Sequence, residues 1–456
     1  MSTGAKHLHG ERPAYLSACQ RLTRFRPVCI SAKDKMKTEN EIVERVIGLD
    51  SHPDTFTAAC VRGPTPAAAV VEKTFNKLPM AQLESWAKRN TTARDLFVLE
   101  ASGNSFHIVR RLAAIDRKAL VLESAHLGKL KETHANNDRI SAVRIAKAWL
   151  AGTAKRVWVP DPKTQERRDW FHVHRKAVKR STRARNSLLS YLSDNGVRLK
   201  ENTRLARDWA EAKKQIQGAA PWSPRQWNVL EGLLMELAHA DEQRRHWRSL
   251  IAQEVLTDPE LLSIVRLCGV RELVAFALGA LIGDIQRFAS PAQLVKYIGL
   301  NPAFDDSGQN QWTGGVRGHG RKDLRCLLIE SAQSILRCAR TPLARWGKKL
   351  LGRKGQIKLV VAAMARKLAV AVWYLLMGRW TPLDEIDLRL EIKIGKIISQ
   401  IAPAKELLKK VGKTRSAFRA EINQRLKTGR EYLLDPNKKF TPKSSPSISV
   451  EAYSMA

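Results

Sequence analysis

The chain has 456 residues, 44% of them hydrophobic, with 79 Lys and Arg against 44 Asp and Glu for a formal net charge of +35. Length and hydrophobic content suit a folded protein of two or three domains, each with its own core. The charge argues against a metabolic enzyme of small neutral substrates: a basic surface of this size attracts a polyanion and repels its own copies until neutralised, and nucleic acid is the first polyanion to consider.

Residues 1–42 are basic, contain prolines and lack an apolar stretch of signal-peptide type, so a flexible basic leader is expected there. Apolar strands are predicted at 43–50 and 55–63, with Ser-His-Pro-Asp turning between them. A helix over 79–90 directs Leu83 and Trp86 inward, and a strand over 95–103 carries Glu100 near its end. A short helix at 107–115, a strand at 118–124 and a helix at 141–152 closed by Gly152 complete an α/β domain over 43–155.

The composition changes over 156–255, where Arg, Lys, Glu and Gln are joined by Leu and Trp at helical intervals. Two long helices are predicted, broken at Gly-Ala-Ala-Pro-Trp-Ser-Pro, 218–224, with one face apolar and the other strongly basic. Such an arm, or coiled coil, can join protomers, lie along a nucleic-acid backbone, or do both. Trp158, Trp170, Trp209, Trp222 and Trp227 are read first as packing residues, with stacking on unpaired bases as the alternative.

A mostly helical region is expected over 256–400. Residues 259–285 read as helix, Gly-Val turn, helix; within them 269–284 resembles half of a helix-hairpin-helix, whose turn amides could hold a DNA phosphate, or is a purely structural hairpin. Ser290 and Pro291 fit N-cap and N1 of the next helix. Further helices are predicted at 323–338, about 341–349 and 356–377. The apolar run 359–378 is interrupted by Arg366 and Lys367, and two central charges are costly in hydrocarbon, so a buried helix and no membrane partner are expected. Basic helical segments and a disordered Pro/Ser-rich tail fill 401–456. Six scattered cysteines (19, 29, 60, 268, 326 and 338) have no metal-ligand spacing and read as reduced, mostly buried thiols of a cytoplasmic protein.

Two features carry chemistry. Residues 307–325, SGQNQWTGGVRGHGRKDLR, hold five glycines and a run of cations after Ser307, and read as a loop that approaches an anion. In that setting Ser307 is either a nucleophile for phosphoryl transfer or an ordinary turn residue. The second feature is acidic. Asp50 and Glu100 lie at or near strand ends, and Asp138 lies in a polar turn before the helix at 141. Carboxylates that converge from strand ends need a counter-ion, and Mg²⁺ takes oxygen ligands; the alternative is that all three are ordinary surface acids. Asp54 and Glu123 are further candidates, whereas His52, His107, His126 and His134 form no tight motif and read as exposed or structural.

Taken together, GLDSHPDTFTAACV, VLEASG and NNDRISAVRIA, followed by SIVRLCGVRELVAFALGALIGDIQRFASPAQLVKYIGLNP and the serine-glycine stretch, resemble the IS110-type transposases, bridge RNA-guided recombinases of bacterial insertion sequences. The resemblance covers about 43–155 and 260–380. It implies an RNase H/RuvC-like N-terminal domain with DEDD acids, a coiled-coil arm and a helical transposase domain. Asp50, Glu100 and Asp138 match the first three acids, which would bind Mg²⁺. The fourth is expected three residues after Asp138, where this chain has Ser141. Ser307 matches the catalytic serine, expected to form a 5′-phosphoserine link and leave a free 3′-OH. Arg317, Arg321, Lys322 and Arg325 would neutralise phosphate charge. The implied partners are donor and target double-stranded DNA, a structured noncoding guide RNA and further copies of the chain, a dimer assembling to a tetramer with acids and serine from different protomers. A metal-dependent junction resolvase without a covalent intermediate and a catalytically silent RNA/DNA-binding scaffold remain as alternatives.

Overall fold

The computed structural model describes residues 43–124, 137–199, 209–307, 310–316, 319–378, 390–401 and 413–434. The expected leader, the tail from about 440, Arg317, His126 and His134 lie outside them. The chain divides into two units, one ending at Asp161 and the other starting at Pro162.

The first unit is a mixed sheet with helices on both faces. Strands β1 (Val46–Ser51), β2 (Thr55–Arg62) and β3 (Val70–Pro79) form an antiparallel meander. Helix α1 (Leu83–Asn90) leads into β4 (Leu96–Glu100), α2 (Ser105–Ala113), β5 (Lys118–Leu122), α3 (Asp138–Leu150) and the short β6 (Arg156–Val157). The strand order is β3-β2-β1-β4-β5-β6, with β1, β4 and β5 parallel and β6 antiparallel to β5. Side-chain alternation assigns the faces. Ile47, Leu49, Phe97 and Leu99 join Leu83 and Trp86 of α1 and Ile108 and Leu112 of α2 in one core. Val46, Leu96 and Val98 join Ala142, Ile145 and Ala146 of α3 in the other. Strand β3 was not predicted. It is a mostly exposed edge strand, and its Glu72, Lys73 and Lys77 blunt a row of unpaired backbone groups.

Gly48 sets the depth of α3 on the sheet. A Cβ at this position would overlap the Ala142 carbonyl oxygen, so only glycine lets the helix lie this close to β1. The helix starts at Asp138 rather than at 141 as the sequence suggested. The Asn137 side chain accepts from the Ile140 N–H at 2.9 Å, a cap that recruits Asp138 and Ser141 into the first helical turn.

The second unit is mostly helical. The arm consists of α4 (Pro162–Asp194), α5 (Trp209–Gln217) and α6 (Pro224–Thr257). Ser223 and Gln226 form a reciprocal capping box, and Pro224 occupies the first turn, which explains why the predicted break falls there. Ala184, Leu188 and Leu192 of α4 pack with Leu230, Leu234 and Leu237 of α6. Trp222 and Trp227 lie against this core, and Trp170 stacks on Phe276 with ring centroids 6.4 Å apart, so these three tryptophans are packing residues.

Helices α7 (Pro259–Val265), α8 (Glu272–Ile282) and α9 (Pro291–Ile298) follow, then the ribbon β7 (Pro302–Ser307) and β8 (Asn310–Val316). Helices α10 (Lys322–Cys338), α11 (Pro342–Lys354), α12 (Ile357–Leu376), α13 (Leu390–Ile398) and α14 (Arg415–Leu434) complete the unit. Two expectations change, and two others are refined. Residues 302–316 are a two-stranded ribbon, not an open loop. The Gly269 turn between α7 and α8 is packed on α10, where a Cβ would come within 2.7 Å of Ile335, which favours the structural reading of that hairpin. Ser290 stands at the N-cap of α9, but its side chain makes no capping hydrogen bond. Cys326 and Cys338 are exposed, leaving only Cys60 fully buried among the described cysteines. Helix α12 is long and apolar enough to span a bilayer. Here it buries Val360, Met364, Leu368 and Val372 in the core, while the Arg366 Nε donates to the Leu300 carbonyl at 3.1 Å.

Candidate functional site

The parallel register pairs Leu49 with Leu99, so the next residues, Asp50 and Glu100, stand level on neighbouring strands. Both follow the alternation of Gly48 and Val98 onto the face covered by α3. The first turn of α3 brings Asp138 and Ser141 to the same edge. Asp50, His52 and Asp138 each present a ligand atom within 4.8 Å of the others. The His52 Nε2 lies 3.5 Å from the Asp138 Oδ1. His52, read from sequence as exposed or structural, is exposed but belongs to this cluster. Its signal was the i, i+2 spacing from Asp50 at a strand end, which puts both side chains on one face. Asn104 holds the turn that carries it: its Nδ2 donates to the His52 carbonyl at 3.0 Å, and its Oδ1 accepts from the Ser51 hydroxyl at 3.3 Å. Glu100 is outside the three-residue cluster but close enough for its charge to act on Asp50. Asp54 and Glu123 are not in the cluster.

Burial pushes the Asp50 carboxyl above the usual carboxylate range, and the negative charges of Asp138 and Glu100 push the same way. His52 and a hydrogen bond with Ser141 oppose the shift. An apo carboxylate group of this kind is electrostatically unhappy, and a divalent cation relieves it. Two carboxylates and one imidazole fit such an ion by donor chemistry, with oxygen ligands dominant.

Ser141 is buried beside Asp50 and accepts from the Arg144 guanidinium at 3.2 Å. Position 141 therefore faces the site, as a fourth ligand would. Ser141→Asp is expected to tighten divalent-cation binding by about tenfold, the scale of one altered ligand-shell group. It should also lower the melting temperature of the metal-free protein. Calorimetric titration with Mg²⁺ and Mn²⁺ checks this, and an unchanged affinity would rule out a weakened fourth position.

Ser307 is the last residue of β7 and pairs with Asn310 of β8 across residues 308–309, which lie outside the described residues. The base of this ribbon is closely held. Gly299 and Gly320 both adopt left-handed backbone, with φ of 80° and 85°. Added Cβ atoms would overlap the His319 carbonyl at the first glycine and meet the Tyr297 carbonyl at 2.7 Å at the second. The Arg321 N–H donates to the Tyr297 carbonyl at 2.9 Å. The Arg325 Nη1 donates to the His319 carbonyl at 2.8 Å and more weakly to that of Ile298 at 3.4 Å. Of the cations expected to meet phosphate, Lys322 is exposed, Arg321 is ion-paired with Asp323 at 2.9 Å, and Arg325 is only 9% exposed.

Residues 263–346, which contain the ribbon and its clamp, match the model of the "Transposase IS116/IS110/IS902 family". Homology points to that transposase family. The chain is 27% identical over 289 residues to the transposase for insertion sequence element IS1111A of Coxiella burnetii, covering 62% of this chain and 78% of that one. It is 24% identical over 339 residues to a probable family 20 transposase of Pseudomonas aeruginosa, covering 73% and 94%. The transposase for insertion sequence element IS1328 of Yersinia enterocolitica is 20% identical over 334 residues, covering 72% and 95%. The matches to the Pseudomonas and Yersinia proteins therefore extend along most of both chains, well beyond the segment that fits the family model.

Proposed function

We propose that this protein is a DNA transposase whose strand cleavage depends on a divalent cation, Mg²⁺ in the first instance, held by the carboxylates of Asp50 and Asp138 with His52, Glu100 and Ser141 beside them. The observation that carries the reading is the convergence of these side chains at one sheet edge, with the Asp50 carboxyl shifted upward by burial and by its acidic neighbours. The sheet order, with three antiparallel strands followed by parallel β4 and β5, supports an RNase H/RuvC-like fold. A bound cation would supply Lewis-acid stabilisation to a phosphodiester. The residues themselves hold and orient: Asn104 fixes the turn bearing His52, and Gly48 sets the height of Asp138.

A second reading concerns Ser307, favoured by its place at the end of β7 within the family-matched segment. In this reading the Ser307 Oγ attacks a DNA phosphorus, the 3′-oxygen leaves as a free hydroxyl, and a 5′-phosphoserine link preserves the bond energy for rejoining. Target choice is delegated to pairing with a structured guide RNA, and the working form is a homo-oligomer.

One experiment separates these possibilities: incubation with RNA, two DNA partners and Mg²⁺, followed by a search for a DNA-linked peptide containing residue 307. The serine reading expects an adduct in the natural protein, and loss of both adduct and cleavage in Ser307→Ala. Cleavage that survives Ser307→Ala, with no adduct in the natural protein, assigns the chemistry to the acidic site alone. Absence of cleavage with every cation tried would leave only a binding scaffold.

A further inference from the structure

The second unit carries a cationic surface that the proposed chemistry does not use. Along α4 the buried positions Phe171, His174, Ala177, Ala184, Leu188 and Leu192 recur at spacings of three, four and seven, marking the face turned to the rest of the unit. At 100° per residue, the opposite side holds Arg175, Lys176, Lys179, Arg180 and Arg183, all exposed. The five lie within a sector of about 140° centred roughly opposite the buried stripe. No Asp or Glu occurs between Asp169 and Asp194. Among the described residues, no carboxylate pairs with Lys176, Lys179, Arg180 or Arg183. Arg175 alone has a partner, Asp323 at 3.7 Å.

Like charges at i, i+4 destabilise a helix, and Arg175/Lys179, Lys176/Arg180 and Lys179/Arg183 are three such pairs. The isolated protein thus holds a repulsive stripe that an external anion would relieve. Recurrence at i, i+4 spaces the cations by about 6 Å along the helix, a rigid row suited to a regularly charged backbone. The exposed residues between 172 and 187 include no Phe, Tyr or Trp and a single ring, His172, so the surface is built mainly for backbone phosphate rather than for stacked bases. The stripe also has a direction. Its first member meets Asp323 in the first turn of α10, and Asp323 is in turn bound by Arg321, the N-cap residue of that helix, whose N–H is held by Tyr297 at the base of the ribbon ending in Ser307.

We infer that the exposed face of α4 from Arg175 to Arg183 is a docking track for the phosphate backbone of duplex DNA, leading from the ribbon base out along the arm. The inference rests on the proposed function only for this direction; backbone binding itself needs no covalent step.

The test is therefore made on full-length Ser307→Ala protein, which cannot form the adduct. Affinity for a duplex DNA of arbitrary sequence is measured against salt concentration, with and without the fourfold change Lys176→Gln, Lys179→Gln, Arg180→Gln and Arg183→Gln. Each lost phosphate contact flattens the log–log salt slope by about 0.9, so the fourfold variant is expected to lose about 3 to 4 units of slope. Its affinity at low salt should fall by about 10²-fold or more. An equivalent fourfold change on α11, at Lys348, Lys349, Arg353 and Lys354, should leave the slope largely intact. Helicity and melting temperature of the α4 variant should be unchanged or higher, because like-charge repulsion is removed from a solvated face. An unchanged slope overturns the inference. So does an equal loss in the α11 variant, which would reduce the track to general charge, and so does a loss confined to a structured RNA with duplex DNA unaffected. Should the fourfold variant fold poorly, Lys176→Gln with Lys179→Gln carries the same test at about half the slope change.

Discussion

Asp50→Asn is expected to reduce cation-dependent DNA cleavage by about 10³-fold or more, because Lewis-acid stabilisation is worth several kcal/mol and each 1.36 kcal/mol is a factor of ten. The same substitution should leave the metal-free protein as stable as before, or more so. Its carboxyl sits above the ordinary range through burial and the negative charges of Asp138 and Glu100. The sign follows from linkage. Below the unfolded value, Asp50 is protonated in both states and contributes nothing through ionisation. As pH rises through the unfolded value and then the raised folded value, the unfolded chain ionises first, and the native state loses stability relative to it. Asparagine removes that loss, so any gain from Asp50→Asn appears at neutral pH and vanishes in acid. Cation binding runs the opposite way: it needs the ionised carboxylate and weakens as pH falls, starting at a higher pH than for an ordinary aspartate. Thermal melts with and without Mg²⁺ across pH test both halves. If the metal-free variant is clearly less stable at neutral pH, Asp50 has a structural role that the electrostatic account does not contain.

The sequence made the sheet domain legible wherever strands are apolar on both faces. β1, β2, β4 and β5 read as short hydrophobic runs because helices cover both sides of the sheet. β3 escaped notice because it is an edge: Val70 and Val71 are exposed, and its charges break the alternation on which a strand is recognised. The arm was readable from its capping residues and leucine spacing. The ribbon at 302–316 was not. Its glycines argued for a loop, yet Gly314 and Gly315 lie within β8, held there by pairing with β7 that no local pattern reports. At the candidate site, the acids at strand ends were visible as residue types. Their convergence depended on things no local pattern reports: the Leu49–Leu99 register, the close seat of α3 on Gly48 and the cap at Asn137. The i, i+2 spacing of His52 from Asp50 gains meaning only once the partner helix brings Asp138 to the same edge.

Arg325 separates two roles that its sequence neighbourhood confounds. Among Arg321, Lys322 and Asp323 it looks like one more cation for phosphate. In the structure its guanidinium is enclosed, donating to the His319 and Ile298 carbonyls across the crossing of Gly299 and Gly320. Arg325→Ala would take this donor from both carbonyls, at a cost of about 1–3 kcal/mol. The ends of the ribbon would then be free to part, so the cleavage proposed for Ser307 should fall with the lost stability. Arg325→Lys is the decisive variant. A lysine preserves the charge, and an exposed phosphate contact would survive the change with little loss. The clamp requires the planar fork, which an ammonium on a flexible stem does not reproduce. Arg325→Lys is therefore expected to resemble Arg325→Ala in melting temperature and cleavage, while the salt slope of duplex binding stays at its natural value because no solvent-facing cation has been lost. A Lys variant with full cleavage would return Arg325 to the phosphate-binding group. A Lys variant that melts early and cleaves poorly, yet binds DNA with unchanged salt dependence, identifies a residue that acts on the reaction only by holding the base of the ribbon that ends in Ser307.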